Sequence, residues 1–77
     1  MTENKANSIN DIKLNIADEN AVFYMASRIK NSKDKEEKDF YIAELKGYLN
    51  ALETHKIITP TENSRLYAYY KKGLKII

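Results

Sequence analysis

Apolar side chains recur along the chain with the spacing of α-helices, in three segments separated by short polar links. The first segment places four apolar residues at positions i, i+3, i+4 and i+7: Val22, Met25, Ala26 and Ile29. This spacing puts all of them on one face of a helix, and Asp18 is a suitable N-cap for it. The pattern therefore predicts a first helix over about residues 18–31.

The second segment is longer and carries apolar residues on more than one side. Asp34, with Glu37 three residues later, has the pattern of a capping box and predicts a helix over residues 34–55. Its main apolar stripe consists of Ile42, Leu45, Leu49 and Leu52. The length and the stripe predict a central helix, covered either by the first and third helices or by one of them and a second subunit.

A second side of this helix repeats small residues at every fourth position: Ala43, Gly47 and Ala51. Glycine inside a helix costs about 1 kcal/mol relative to alanine. Its presence among other small residues therefore predicts that another backbone approaches Gly47 closely.

The third helix has the clearest start signal in the chain. Thr59 is a suitable N-cap, Pro60 occupies the first helical position, and Glu62 completes a capping box, while Gly73 marks the end. These signals predict a helix over residues 60–72. Its wheel places Leu66 and Tyr70 toward the core, and the short link before Thr59 makes the second and third helices a hairpin.

Together these signals predict an all-α fold, a small three-helix domain over residues 12–77, preceded by a flexible N-terminal arm over residues 1–11. Ile12 to Ile16 alternate apolar and polar residues as a short strand does, and its one candidate partner is the C-terminal segment 74–77. A short pairing of the two chain ends, a helical turn and an extended arm all remain open for residues 12–16.

The hairpin resembles that of the short C-terminal domain family of bacterial proteins over barely a third of the chain. The matching residues are Leu49, Leu52, Ile57, Ile58, Thr59, Glu62, Leu66 and Tyr69. Lys56 stands where that family tends to carry a glycine before its apolar pair. The resemblance implies a shared hairpin and no function.

The residues needed for a catalytic centre are scarce. The chain has no cysteine and a single histidine, His55, so neither a thiolate zinc site nor a cysteine–histidine nucleophile–base pair can be assembled. Its two glycines are too few for a phosphate-binding loop. We therefore expect a protein that is not an enzyme and has no catalytic residue, cofactor or metal.

The N-terminus and the longest apolar runs bear on location. The first eleven residues are polar and lack the apolar centre of a signal peptide, and no apolar run is long enough to span a bilayer. A chain without cysteine also fits a reducing compartment. We expect a cytoplasmic protein without a membrane partner. The abundance of lysine, asparagine and isoleucine is typical of an AT-rich genome, such as that of a bacterium or a phage.

Aromatic and basic residues together point to a binding function. Six tyrosines and two phenylalanines are more than so short a chain is expected to bury, and tyrosine is a frequent interface anchor. Residues 57–77 carry four basic side chains and one acidic one. We expect a small intracellular regulator, adaptor or inhibitor, with a larger protein partner or with self-association as a homodimer. The candidate contact residues are Tyr24, Arg65, Tyr67, Tyr69, Lys71 and Lys72.

A DNA-binding regulator is the alternative. The third helix would then act as a recognition helix, with phosphates contacted by Lys71, Lys72 and Lys75. The side chains facing base edges would be Thr61, Asn63, Ser64 and Arg65. The chain has only two arginines and a net charge of +2, which is a modest electrostatic footprint for a nucleic-acid partner.

Overall fold

A computed structural model of the chain describes residue 9 and residues 11–73. These residues form three helices: α1 (Ile16–Lys30), α2 (Lys35–Thr54) and α3 (Pro60–Tyr70). The described part contains no strand, so the predicted all-α three-helix fold with a long central helix is confirmed. None of the three helices combines the length and the apolar character that a membrane crossing requires.

The core lies where α1 and α3 pack against α2. The four predicted stripe residues of α1 are all buried, as are Leu45, Leu49 and Leu52 of α2, whereas Ile42 is half-buried. Leu66 and Tyr70 supply the core face of α3, and Ile12 and Ile58 close the cluster from outside the helices. The stripe of α2 is therefore covered by the first and third helices of the same chain.

Helix α1 begins two residues earlier than predicted. Its N-cap is Asn15, whose side-chain oxygen accepts a hydrogen bond of 2.7 Å from the backbone N–H of Asp18. Asp18 is thus inside the first turn, and its carboxylate accepts a hydrogen bond from the hydroxyl of Tyr48 instead of capping the helix. The alternation of apolar and polar residues from Ile12 to Ile16 is typical of a strand, and for this reason the sequence pattern does not identify Asn15 as an N-cap. Residues 12–15 form neither a strand nor a helical turn.

The start of α2 follows the prediction in part. Asp34 is the N-cap and accepts a hydrogen bond from the backbone N–H of Glu37. The Glu37 carboxylate, however, accepts from the backbone N–H of Lys33 rather than from that of Asp34, so the expected reciprocal box is displaced by one residue. On the exposed side, Lys35 pairs with Asp39 at 2.8 Å.

Helix α3 carries the predicted capping box. The Thr59 hydroxyl accepts from the backbone N–H of Glu62 at 3.1 Å, and the Glu62 carboxylate accepts from that of Thr59 at 2.9 Å. After α3, Gly73 has a φ of +69°, and a Cβ there would lie 2.9 Å from the backbone of Lys30. Only glycine allows this turn to pack against the end of α1.

A buried polar residue joins α2 and α3. Asn63 is 8% exposed, and its amide nitrogen donates to the side chains of Asn50 at 2.9 Å and Glu53 at 2.7 Å. In the described residues no buried side-chain nitrogen or oxygen lacks a partner. The helical spacing of Asn63 with Leu66 and Tyr70 places it on the core face, where the pair of acceptors on α2 satisfies its amide.

The prediction that another backbone approaches Gly47 closely is wrong. This residue is exposed, and a Cβ added to it would meet nothing within 4 Å. Ala43 and Ala51 are exposed as well. The small-residue side of α2 is thus exposed, and nothing in the described part of the chain covers it.

The ends of the chain are described only in part. Ile9 is half-buried against the core, and the backbone N–H of Ile12 donates to its carbonyl at 3.0 Å. Asp11 forms an ion pair with Arg65 of α3. These two residues of the predicted arm therefore contact the bundle. The other residues of that arm, and the C-terminal segment 74–77 of the predicted pairing, lie outside the described residues.

The link between α2 and α3 places a lysine in the left-handed region. Lys56 has a φ of +63°, and the backbone N–H of the next residue, Ile57, donates to the carbonyl of Leu52 at 2.9 Å. These features are those of a Schellman motif, in which glycine is the usual residue at the left-handed position. Lys56 is also the position at which the family that the hairpin resembles tends to carry a glycine.

We predict that Lys56→Gly stabilises the domain by about 1 kcal/mol, because the left-handed conformation costs an L-residue about that much. The free energy of unfolding in urea measures the change. His55→Gly is the control, since His55 has a φ of −87° and gains nothing from glycine. A loss of stability in Lys56→Gly equal to that in His55→Gly would contradict the prediction.

Candidate functional site

The six predicted contact residues do not form one surface. Tyr24 belongs to α1, and five candidates lie on or just after α3: Arg65, Tyr67, Tyr69, Lys71 and Lys72. Arg65, Tyr67 and Tyr69 are half-buried, whereas Tyr24, Lys71 and Lys72 are exposed. The structure divides them among the α1–α2 side, the α2–α3 side and the side of α3 that faces the N-terminal segment.

An open groove of about 360 Å³ runs between α1 and α2. Its lining residues come from these two helices alone: Ala21, Tyr24, Met25, Arg28, Glu44, Gly47 and Tyr48. Tyr24 stands beside it with 61% of its surface exposed, and Phe40 of α2 is 63% exposed. We call the groove together with Phe40, Ala43 and Ala51 the α1–α2 face.

Aromatic rings and a cation border this face. The guanidinium carbon of Arg28 lies 4.4 Å from the ring centre of Tyr41 and 5.4 Å from that of Tyr24. The ring of Phe40 meets that of Tyr41 edge to face, with 5.5 Å between the centres. Arg28 therefore lies against tyrosines of both helices, which fixes its cation on the surface.

On the α2–α3 side, Tyr67 is associated with two lysines. The ammonium nitrogen of Lys46 lies 4.7 Å from the centre of its ring, and that of Lys71 lies 5.1 Å from it. Both lysines are exposed, and Tyr67 is half-buried with its ring packed against the core cluster. These three residues are called the Tyr67 patch. Lys72 is exposed one residue beyond it.

Arg65 and Tyr69 contact the N-terminal segment instead. The guanidinium of Arg65 donates to both oxygens of Asp11, at 2.8 and 3.0 Å. These hydrogen bonds lower the pKa of Asp11 below its usual value. The ring of Tyr69 meets that of Tyr70 edge to face at 5.0 Å and lines a small pocket with Ile12 and other residues of that segment. Both predicted contact residues thus have partners within the chain.

Two contributors to these surfaces were absent from the sequence-based set. Arg28 follows Tyr24 by four residues, so helical spacing alone places the two on one side of α1. Lys46 occupies the polar strip of α2 that borders the core, and only the packing of α3 brings it to Tyr67. The first contact is visible in the sequence, whereas the second requires the tertiary fold.

The titratable side chains of the described residues do not cluster in the manner of a metal centre. Within residues 11–73, no group of three or more histidine, aspartate or glutamate side chains is placed to hold a metal ion. His55, the C-cap of α2, is exposed. Compared with models of protein families, with curated proteins and with solved structures, the chain matches none.

The tyrosines of α3 are expected to differ sharply in their effect on stability. Tyr70 is 7% exposed, so Tyr70→Ala should lower the free energy of unfolding by about 3 kcal/mol or more, as truncation of a buried aromatic ring does. Tyr67→Ala removes a half-buried ring and should cost about 1 kcal/mol. Urea unfolding followed by circular dichroism measures both. Equal losses in the two variants would show that Tyr67 is a core residue.

The hydrogen bond between Tyr48 and Asp18 should give the domain an alkaline pH dependence. The hydroxyl donates to the Asp18 carboxylate at 2.6 Å, and this bond, with burial second, raises the pKa of Tyr48 above its ordinary value of 10.0. The folded state thus holds this proton to higher pH than the unfolded state. The resulting stability is complete below about pH 10 and is lost as the pH rises through the folded pKa.

Tyr48→Phe removes both the hydrogen bond and the titrating proton. We predict that it lowers the free energy of unfolding by about 1 kcal/mol at pH 7. We also predict that stability then falls less steeply from about pH 9 to pH 11 than in the wild type. Urea unfolding at several pH values measures both effects, and Tyr70, whose pKa burial also raises, is present in both proteins. Parallel pH curves would contradict this account.

Proposed function

We propose that this protein is a small intracellular interaction protein without enzymatic activity, which binds a larger protein partner and acts as a regulator, adaptor or inhibitor. The Tyr67 patch is the contact surface that its geometry favours best. One observation carries the proposal: a tyrosine ring, anchored in the α2–α3 junction, has two lysine ammonium groups within about 5 Å of its centre.

The chemistry of this patch suits an acidic protein surface. Within the described residues, the ion pairs are Lys35–Asp39 and Asp11–Arg65, so Lys46 and Lys71 have no carboxylate in a salt bridge. Both ammonium groups are therefore available to carboxylates of a partner, and their position over the ring reduces the side-chain entropy lost on binding. Tyrosine adds apolar contact area and a hydroxyl, a combination frequent among residues that dominate binding energy.

The geometry of α3 favours a protein partner over DNA. A recognition helix would present Asn63 and Arg65 to base edges, but Asn63 is buried with its amide donating to Asn50 and Glu53. Arg65 is held by Asp11 in a pair of hydrogen bonds. Binding in a major groove would have to break these hydrogen bonds, which costs free energy. Protein binding through the Tyr67 patch does not require these hydrogen bonds to break.

Affinity capture from extracts of cells that produce the protein tests the proposal. The immobilised wild type should retain a partner that Lys46→Ala/Lys71→Ala fails to retain, as quantified by mass spectrometry. The matched control is Lys33→Ala/Lys38→Ala, which removes the same two charges from exposed positions near the start of α2. Equal capture by all three proteins would contradict a role for the Tyr67 patch.

The DNA alternative is measured separately. Binding to mixed-sequence duplex and single-stranded DNA is followed at about 50 mM and 200 mM salt, because affinity that depends on phosphate contacts falls steeply between them. We expect no binding at the lower salt concentration. Strong binding there that weakens steeply at the higher one, together with loss of binding in Lys46→Ala/Lys71→Ala, would assign the patch to nucleic acid.

A further inference from the structure

We propose that the α1–α2 face is the interface of a homodimer, so that the occupant of its groove is a second copy of this chain. The face lies on α1 and α2, and no residue of α3 lines the groove, so it is separate from the Tyr67 patch. The inference does not depend on the proposed function. It rests on the shape of the face, on its charge and on the arrangement of residues about its centre.

The face combines protruding rings with a depression. Tyr24 and Phe40 expose 61% and 63% of their surfaces, and the groove beside Tyr24 has a volume of about 360 Å³. Gly47 lines this groove with nothing within 4 Å of the place where a Cβ would stand. A surface that carries both the protrusion and the recess can match itself across a two-fold axis, as an isologous interface requires.

The charge of the groove favours a neutral occupant. Arg28 and Glu44, one from each helix, are the ionised side chains among its lining residues, so the formal charge of the groove is zero. An acidic or basic partner gains little long-range attraction from such a surface. Two copies can approach each other face to face without a like-charge penalty, and each then removes the other's exposed rings from water.

The order of residues in α2 suits an antiparallel pairing about Gly47. Ala43 and Ala51 are each four residues from it, so a two-fold axis at Gly47 places Ala43 of one copy opposite Ala51 of the other. Small side chains at all three levels let two helices pack closely. The paired α1 and α2 helices of the two copies would then form a four-helix arrangement, with α3 on the outside.

The dimensions of the face indicate a weak dimer. At 1.5 Å per residue, α1 and α2 are about 22 and 30 Å long, and two helices side by side are about 20 Å wide. The contact therefore covers about 500 Å² on each copy, near the lower limit of specific interfaces. We expect a dissociation constant in the micromolar to millimolar range.

Sedimentation equilibrium of the full chain, from about 5 µM to 1 mM, measures this self-association across the expected range. Gly47→Arg places two bulky cations at the axis and should abolish the dimer. The substitution replaces a helical glycine at an exposed site, so the monomer should fold at least as well, as circular dichroism and urea unfolding will show. The matched control, Ala68→Arg, adds the same side chain at an exposed position of α3 and should leave the dimer intact.

Tyr24→Ala provides a second variant and should weaken association at least tenfold, because the ring is the main protrusion of the face. A chain that stays monomeric up to about 1 mM would overturn the proposal. A dimer that persists in Gly47→Arg and in Tyr24→Ala would also overturn it, because association would then use another surface. Neither result bears on capture of a partner by the Tyr67 patch, which is tested by lysine variants outside the groove.

Discussion

Burial of one stripe of α2 is the constraint on which the rest of this domain depends. Leu45 and Leu49 are fully buried, and Leu52 is 6% exposed. They belong to one core cluster with buried residues of α1 and α3, and the two outer helices pack mainly against α2 rather than against each other. Truncating one such leucine costs about 2–5 kcal/mol, against a total stability of about 5–15 kcal/mol for a typical domain. Each of these three leucines is therefore decisive in so small a core.

Polar contacts determine how the outer helices lie on this stripe. An apolar stripe permits several rotations of a packed helix, but the amide of Asn63 must reach acceptors on α2 because leaving it unpaired would cost about 1–3 kcal/mol. Between α1 and α2, the bond from Tyr48 to Asp18 joins two side chains 30 residues apart in the sequence. The bidentate pair of Arg65 and Asp11 adds a third tie, from α3 to the N-terminal segment. It is more exposed and so contributes less.

The sequence predicted the helices and their buried faces because both depend on local spacing. The capping residues Thr59 and Asp34, and the buried stripe of α1, all appear where helical periodicity and N-cap chemistry placed them. Local rules failed where a tertiary contact was needed. They could not show that α3 brings Tyr67 to Lys46, or that the arm supplies Asp11 to Arg65, since each pair joins distant parts of the chain. The inference at Gly47 failed because a glycine inside a helix does not by itself require a neighbouring backbone, and a Cβ there would meet nothing within 4 Å.

The aromatic residues show how the candidate surfaces arise from the limited size of the core. Among the eight rings, Tyr70 alone is classed as buried, while Phe23, Tyr24 and Phe40 expose more than half of their surfaces. Four further tyrosines are half-buried: Tyr41, Tyr48, Tyr67 and Tyr69. A tyrosine at the edge of a core can pack its ring inward and keep its hydroxyl in water, so a half-buried tyrosine needs no external contact to explain it.

Phenylalanine has no such polar group, so an exposed phenylalanine has no hydroxyl that favours contact with water. Phe40 gains an edge-to-face contact with Tyr41 but keeps 63% of its surface exposed, at a cost of about 25 cal/mol for each Å² of apolar area left in water. Tyr67, by contrast, is held at the rim by the core beneath it and by ammonium groups beside it. The Tyr67 patch is therefore stable without any further contact that covers it. The exposed ring of Phe40, on the α1–α2 face, is stabilised only when an apolar surface covers it.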